Sequence, residues 1–132
     1  MIWIGTSGWV YNHWVGCFYP TDLHQRDWLA YYAERFPTVE INRSFYRLPS
    51  HRNFEDWAWK VGHHEGFLFA VKASRYLTHL KKLHAPEEPL DRLFSAADGL
   101  GLRLGPVLFQ LPPGFAVDPA RLAYFVSQLP PG

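Results

Sequence analysis

Apolar residues along the chain fall alternately into short continuous runs and longer, spaced ones. Ile2-Trp3-Ile4-Gly5-Thr6 predicts a short buried strand. Over 27–36 the apolar positions Trp28, Leu29, Tyr32, Ala33 and Phe36 recur at helical spacing, and Pro37 ends that helix. A second strand follows over 38–42. Ser50 is a suitable N-cap for a helix through Val61, with Phe54, Trp57, Ala58 and Val61 on one side. Residues 67–72, Phe-Leu-Phe-Ala-Val-Lys, form the clearest strand in the chain. Pro86 and Pro89 introduce the pattern Leu90, Leu93, Phe94, Ala97, a helix expected to end near Gly99 or Gly101. Residues 107–111 predict a fourth strand closed by Pro112-Pro113, and Asp118 a cap for a last helix with Leu122, Phe125 and Val126 inward.

Strands and helices thus alternate four times, with no hairpin signal between strands. That order implies a parallel sheet with right-handed crossovers, and continuous apolar strands imply cover on both faces. Four such units in 132 residues is about half of a closed eight-stranded barrel, which takes roughly 250 residues. The expected fold is therefore α/β, a TIM-type (β/α) barrel of which residues 1–132 supply the first four βα units as a single domain.

Two stretches do not fit a purely structural reading. The connection from Ser7 to Pro20 carries Trp9, Tyr11, Trp14, Phe18 and Tyr19, although loops are mostly polar. The stretch Thr38-Val39-Glu40-Ile41-Asn42-Arg43-Ser44-Phe45-Tyr46-Arg47-Leu48-Pro49 starts as a strand and breaks into a polar, aromatic loop. Glu40 interrupts its apolar run, and a carboxylate taken out of water needs a partner or a task. Side chains alternate along a strand, so Thr38, Glu40 and Asn42 share the side opposite Val39 and Ile41. In the next strand Lys72 lies opposite the Phe67, Phe69 and Val71 side. Bulky residues should face the helices, leaving the polar set inward with Glu40 in reach of Lys72. Thr6 and Ser7 end the first strand and Gln110 the fourth. In parallel α/β folds the carboxyl ends of the strands carry the active site. The alternative is that Glu40 and Lys72 neutralise each other and fix the strand register.

Composition narrows the partners. Hydrophobic residues at 48% are ordinary for a folded domain, and a net charge of +1 announces no nucleic-acid, membrane-surface or acidic partner, which only a local patch could do. Cys17 is the sole cysteine, which excludes an intrachain disulfide. The first residues lack a basic region followed by a long apolar one, so a cytoplasmic protein is expected. The longest apolar run, 66–71, falls well short of the roughly 20 residues that span a bilayer. Aromatics are abundant, at 17% with six Trp, and some of those rings should line a pocket or an interface.

Four signatures in order carry a resemblance. Ile4-Gly5-Thr6-Ser7-Gly8-Trp9 with Tyr11, Trp14, Gly16 and Phe18-Tyr19-Pro20 opens the chain. Thr38 to Asn42 with Phe45-Tyr46-Arg47-Leu48-Pro49 is the second, and Lys72-Ala73-Ser74-Arg75 with Thr78-His79 the third. The fourth runs from Leu104 to Pro113. Together they resemble the YecE-like family, domain of unknown function 72, over residues 2–130. The resemblance implies a TIM-type barrel in relatives nearly twice this length, whose later part adds polar strand-end residues. It brings no established activity. A fold-level likeness to endonuclease-IV-type barrels suggests nucleic acid or metal-dependent phosphodiester chemistry by analogy alone.

Three functional readings follow. In the first, an enzyme acts on a small polar or phosphorylated substrate. Glu40 is its general acid or base and Lys72 an electrostatic stabiliser, while Asn42, His79 and Gln110 orient the substrate. Trp9, Tyr11, Trp14 and Tyr46 form an aromatic rim, the alternative being that they pack the loop. In the second, Lys72, Arg75, Lys81 and Lys82, with Tyr76 and two histidines, hold nucleic-acid phosphates. The alternative there is a solvated surface. In the third, the chain is a truncated half-barrel whose exposed edges pair with a second copy or with a missing C-terminal half. No cofactor and no metal are called for, because Glu40 and His79 alone are suitably placed ligands.

Overall fold

The computed structural model describes residues 2–131; Met1 and Gly132, the ends of the expected domain, lie outside the described residues. Four strands, β1 (Gly5–Ser7), β2 (Thr38–Ile41), β3 (Leu68–Lys72) and β4 (Leu104–Leu108), form one parallel sheet in chain order. Between and after them lie helices α1 (Trp28–Ala33), α2 (Arg43–Tyr46), α3 (His51–Lys60), α4 (Glu87–Ala97) and α5 (Pro119–Ser127). A π-type turn, Tyr76–Leu80, follows β3, and a 3-10 segment, Asp98–Arg103, leads into β4.

Strand alternation decides which side is covered. Val39 and Ile41 of β2, with Phe69 and Val71 of β3, are buried against Leu29 and Tyr32 of α1, Phe54 of α3 and Leu93 of α4. Removal of these side chains from water is the main driving force, about 25 cal/mol per Å² of apolar surface. The intervening residues Thr38, Glu40, Leu68, Ala70 and Lys72 remain half-buried on the opposite, open face. A second apolar cluster of Leu77, Leu83, Leu90 and Phe125 joins the turn after β3 to α4 and α5. Helix α3 begins where Ser50 predicts: its hydroxyl accepts the Asn53 N–H, and the Asn53 side chain accepts the Ser50 N–H in return.

The edges depart from expectation. β1 starts at Gly5, and Ile2, Trp3 and Ile4 are exposed, because β1 is an edge with only β2 beside it. Gly5 is required where it stands, since a Cβ there would lie 2.0 Å from the Thr38 carbonyl oxygen. β4 begins at Leu104, ahead of the expected Val107, and takes in Gly105 and Pro106. The register steps between Phe69↔Leu104 and Val71↔Val107, so β4 carries one extra residue. Such a bulge on an edge strand accommodates a proline, which cannot donate to a ladder. After β2 the expected loop is partly helical, with α2 occupying Arg43–Tyr46. In α5 Phe125 is buried, but Leu122 and Val126 are half-exposed. The helix packs through Phe125 against Phe109, and among the described residues nothing covers its other side.

Candidate functional site at the strand ends

The carboxyl ends of β1, β2 and β3 carry polar groups on both sides of the sheet, and the register sorts them. Thr6 aligns with Val39 and points to the helices, so it is not part of the open face. Its N–H donates to the Tyr32 hydroxyl at 2.9 Å, and its own hydroxyl donates to the Gly8 carbonyl at 2.7 Å. Tyr32 in turn donates to the Thr38 carbonyl at 3.1 Å. This arrangement ties α1 to both β1 and β2. Burial raises the pKa of the Tyr32 phenol. Burial also raises that of Tyr19, helped by the neighbouring Tyr32. Both stay neutral as core hydroxyls.

On the open face Ser7 aligns with Glu40, and its hydroxyl donates to Glu40 Oε1 at 2.7 Å. The backbone then turns at Gly8, whose φ of +82° suits glycine and whose N–H donates to the Glu40 carbonyl at 2.9 Å. One strand further, Lys72 Nζ stands 4.7 Å from the centre of the Phe45 ring, and the His79 ring meets the same phenylalanine edge-on at 5.1 Å. His79 Nδ1 is 2.9 Å from the hydroxyl of the buried Thr78. Arg75 lies 5.8 Å from the Tyr46 ring. Gln110 is exposed beyond the end of β4.

The expected Glu40–Lys72 ion pair is not formed. The register places Ala70 beside Glu40, and Lys72 extends past the end of β2 to Phe45. Among the described residues Lys72 has no carboxylate within 4.0 Å. Cation–π contact with Phe45 holds the ammonium without neutralising it.

The residue that makes this possible is Ser44, which sequence reasoning passed over. It is fully buried, and its hydroxyl reaches the carbonyls of Ile41 at 2.8 Å and Lys72 at 2.5 Å. A single hydroxyl thereby fixes the start of α2 across the ends of β2 and β3, and aims Phe45 at Lys72. Its signal was a small polar residue directly before two aromatics at a strand end.

The aromatic rim is corrected in part. Trp9 and Trp14 pack against the covered core, with Trp9 edge-on to Trp57 of α3 at 5.4 Å. Tyr11 tilts against Trp14 at 4.7 Å and donates its hydroxyl to the Ser7 carbonyl. Trp9, Tyr11, Asn42 and Tyr46 line a groove on the helix side of the strand ends, together with the core residues Leu29 and Ile41. The candidate residues are thus divided. Ser7, Glu40, Lys72 and His79 gather above the open face or at its margin, whereas Thr6, Trp9, Tyr11, Trp14, Asn42 and Tyr46 belong to the covered side or the rim between.

What the fold and site define is an α/β protein with a parallel sheet that carries polar groups at its carboxyl strand ends. The chain matches the family model described as "Protein of unknown function DUF72" over residues 3–132, and it belongs to that family. It is 33% identical over 131 residues to the UPF0759 protein YunF of Bacillus subtilis, covering 94% of this chain and 44% of that protein. A crystal structure of a DUF72 family protein from Thermotoga maritima is similar with a TM-score of 0.77 and 29% identity. That match covers 97% of this chain and 50% of the other. A DUF72 family protein from Enterococcus faecalis shares the fold with a TM-score of 0.61 at 22% identity, over 75% of this chain and 41% of that one. The chain therefore spans about half the length of the relatives it matches. Among the described residues no helix is long and apolar enough to cross a membrane.

Proposed function

We propose that the chain forms the first half of a TIM-type barrel, and that its open sheet face is part of an enzyme site for a small polar or phosphorylated substrate. One observation carries the reading: at adjacent strand ends Ser7 and Glu40 are hydrogen-bonded, while Lys72, at the end of the next strand, is held against Phe45 without a counter-ion. Glu40 serves as general acid or base, with Ser7 fixing its orientation. Lys72 stabilises negative charge on the substrate, and a cation already free of a carboxylate partner costs nothing to unpair. In this reading His79, which packs edge-on to Phe45, and Gln110, exposed beyond the end of β4, serve to orient the substrate. Further strands of a longer barrel would close over this face, supplying cover for β1 and β4. Without them, a second copy of the chain is the natural partner for those edges.

A phosphorylated sugar, such as glucose 6-phosphate, and its unphosphorylated parent test the reading by heteronuclear NMR titration. The phosphorylated form should shift amide signals at Ser7, Glu40 and Lys72, and Lys72→Gln should weaken it about tenfold or more without changing the spectrum of the core. Equal binding of both sugars, or indifference to Lys72→Gln, counts against it.

A nucleic-acid-binding or phosphodiester-processing role is the second reading, favoured by exposed ring–cation pairs. Arg75 lies by Tyr46, and Lys81 Nζ stands 5.6 Å from the Tyr76 ring. Titration with single-stranded and duplex DNA across salt discriminates. Phosphate tracking demands a steep loss of affinity with salt, and a flat dependence rejects it.

A further inference from the structure

The groove on the helix side of the strand ends encloses about 700 Å³, within the size range of small-molecule sites. Leu29 and Ile41, both core residues, form part of its floor, so it lies across the strands from Ser7 and Glu40. Trp9 and Trp57 stand edge-to-face at 5.4 Å as one wall, and Tyr11 and Tyr46 supply two more rings. Tyr46 is largely exposed and free to lie against an incoming ring.

Its charge is one-sided. No aspartate or glutamate lines the groove, whereas Arg26, Arg43 and Lys60 do. Lys60 is bonded to Asp56 at 2.9 Å and Arg26 lies 3.5 Å from Asp27. Among the described residues Arg43 has no ion-pair partner within 4.0 Å, and no side-chain hydrogen bond ties down its guanidinium. Next to it, Asn42 Oδ1 is shut off from solvent and has no hydrogen-bond partner. A buried amide atom without a partner is costly, and because Asn42 lines the groove, a ligand's polar group is the partner we assign to its side-chain amide. Such an amide serves a donor through its oxygen or an acceptor through its nitrogen.

We propose that this groove is a second binding site, distinct from the Glu40 face, for a small planar aromatic molecule carrying a negatively charged group. The ring lies among Trp9, Trp57 and Tyr46. The anion pairs with the Arg43 guanidinium, whose planar fork suits carboxylate and phosphate alike. A ring polar group meets Asn42. The site lies on the opposite side of β2 from the Ser7–Glu40 pair, so it stands or falls independently of the enzyme reading.

Isothermal titration and NMR with the full chain test this, using adenosine 5′-monophosphate, adenosine, 4-hydroxybenzoate and inorganic phosphate as probes. At least one of the two aromatic anions should bind at least about tenfold more tightly than adenosine or phosphate alone, with shifts at Trp9, Asn42 and Trp57. Preference between nucleotide and benzoate then identifies the phosphate or the carboxylate as the natural charge. Arg43→Gln, at an exposed position, should leave the melting temperature unchanged and weaken the anion about tenfold or more. Lys72→Gln should leave this affinity unaltered. The proposal is overturned if neither aromatic anion binds at millimolar concentration, if adenosine binds as well as its monophosphate and benzoate fails, or if Lys72→Gln rather than Arg43→Gln removes binding.

Discussion

The two sides of β2 present opposite solutions to the same backbone. Val39 and Ile41 are closed off under α1 and α3, whereas Thr38 and Glu40, one residue away in each case, stay half-open to solvent. On the covered side even polar groups are spent on structure, as the hydroxyls of Thr6 and Tyr32 show. On the open side the Ser7–Glu40 hydrogen bond joins only strands that the backbone ladder already joins, and the Lys72 ammonium touches α2 through the Phe45 ring alone, with no carboxylate partner among the described residues. Within the body of the sheet the side under the helices carries the stability and the open side leaves Glu40 and Lys72 for chemistry, while the groove sits at the strand-end rim of the covered side. Substitutions should sort accordingly.

The largest effect is expected on the covered side. Phe69 has no exposed surface and touches both Trp9 and Phe67. Phe69→Ala should cost about 3–5 kcal/mol in denaturant unfolding. A loss below about 1 kcal/mol would show that this core is loosely packed. Next comes Tyr32→Phe, which strips the hydroxyl joining β1, β2 and α1 and should cost about 1–3 kcal/mol.

The same tyrosine sets a pH dependence. Burial raises its pKa, so its contribution to stability is complete below the ordinary tyrosine range, about 10, and is lost as pH rises through the raised value. Tyr19 acts in the same direction. Stability should therefore fall on the alkaline side, and Tyr32→Phe should flatten that fall in thermal melts taken above about pH 10. An unchanged slope would assign the alkaline loss to other groups.

A smaller effect belongs to the capping box. Ser50→Ala removes the acceptor for the Asn53 N–H and should cost about 1 kcal/mol, with fraying of the first turn of α3 visible by hydrogen exchange.

Much of this division was legible in the residues. The alternation in 38–41 and 67–72 assigns the covered side correctly: Val39 and Ile41, and Phe67, Phe69 and Val71, are the buried parity, although Leu68 and Ala70 are themselves apolar and Asn42 turns away at the strand end. Ser50 announces its helix by the chemistry of its cap. β1 is less legible, since three paired residues are too few to show which parity faces the helices, and pairing with Val39 turns Thr6 away from the open face where the sequence puts it. The start of β4 is hidden because Gly105-Pro106 has the chemistry of a turn, and only pairing with β3 reveals the bulge. The Glu40–Lys72 pair failed for a related reason: shared parity was visible, but register was not, and it sets Ala70 beside Glu40. Ser44 could not be ranked from sequence, as its importance arises from two carbonyls on different strands meeting one hydroxyl. The groove lay further out of reach, because Trp57 and Arg43 join it only through tertiary packing.

The sharpest test of the division is a double-mutant cycle on the open side, with Ser7→Ala and Glu40→Ala made singly and together and unfolding followed in urea. A pair kept for chemistry should show a coupling below about 1 kcal/mol, and neither single substitution should cost more than about 0.5 kcal/mol. A coupling of about 2 kcal/mol or more would make Ser7 and Glu40 a structural clamp and contradict the assignment of this open-face pair to chemistry.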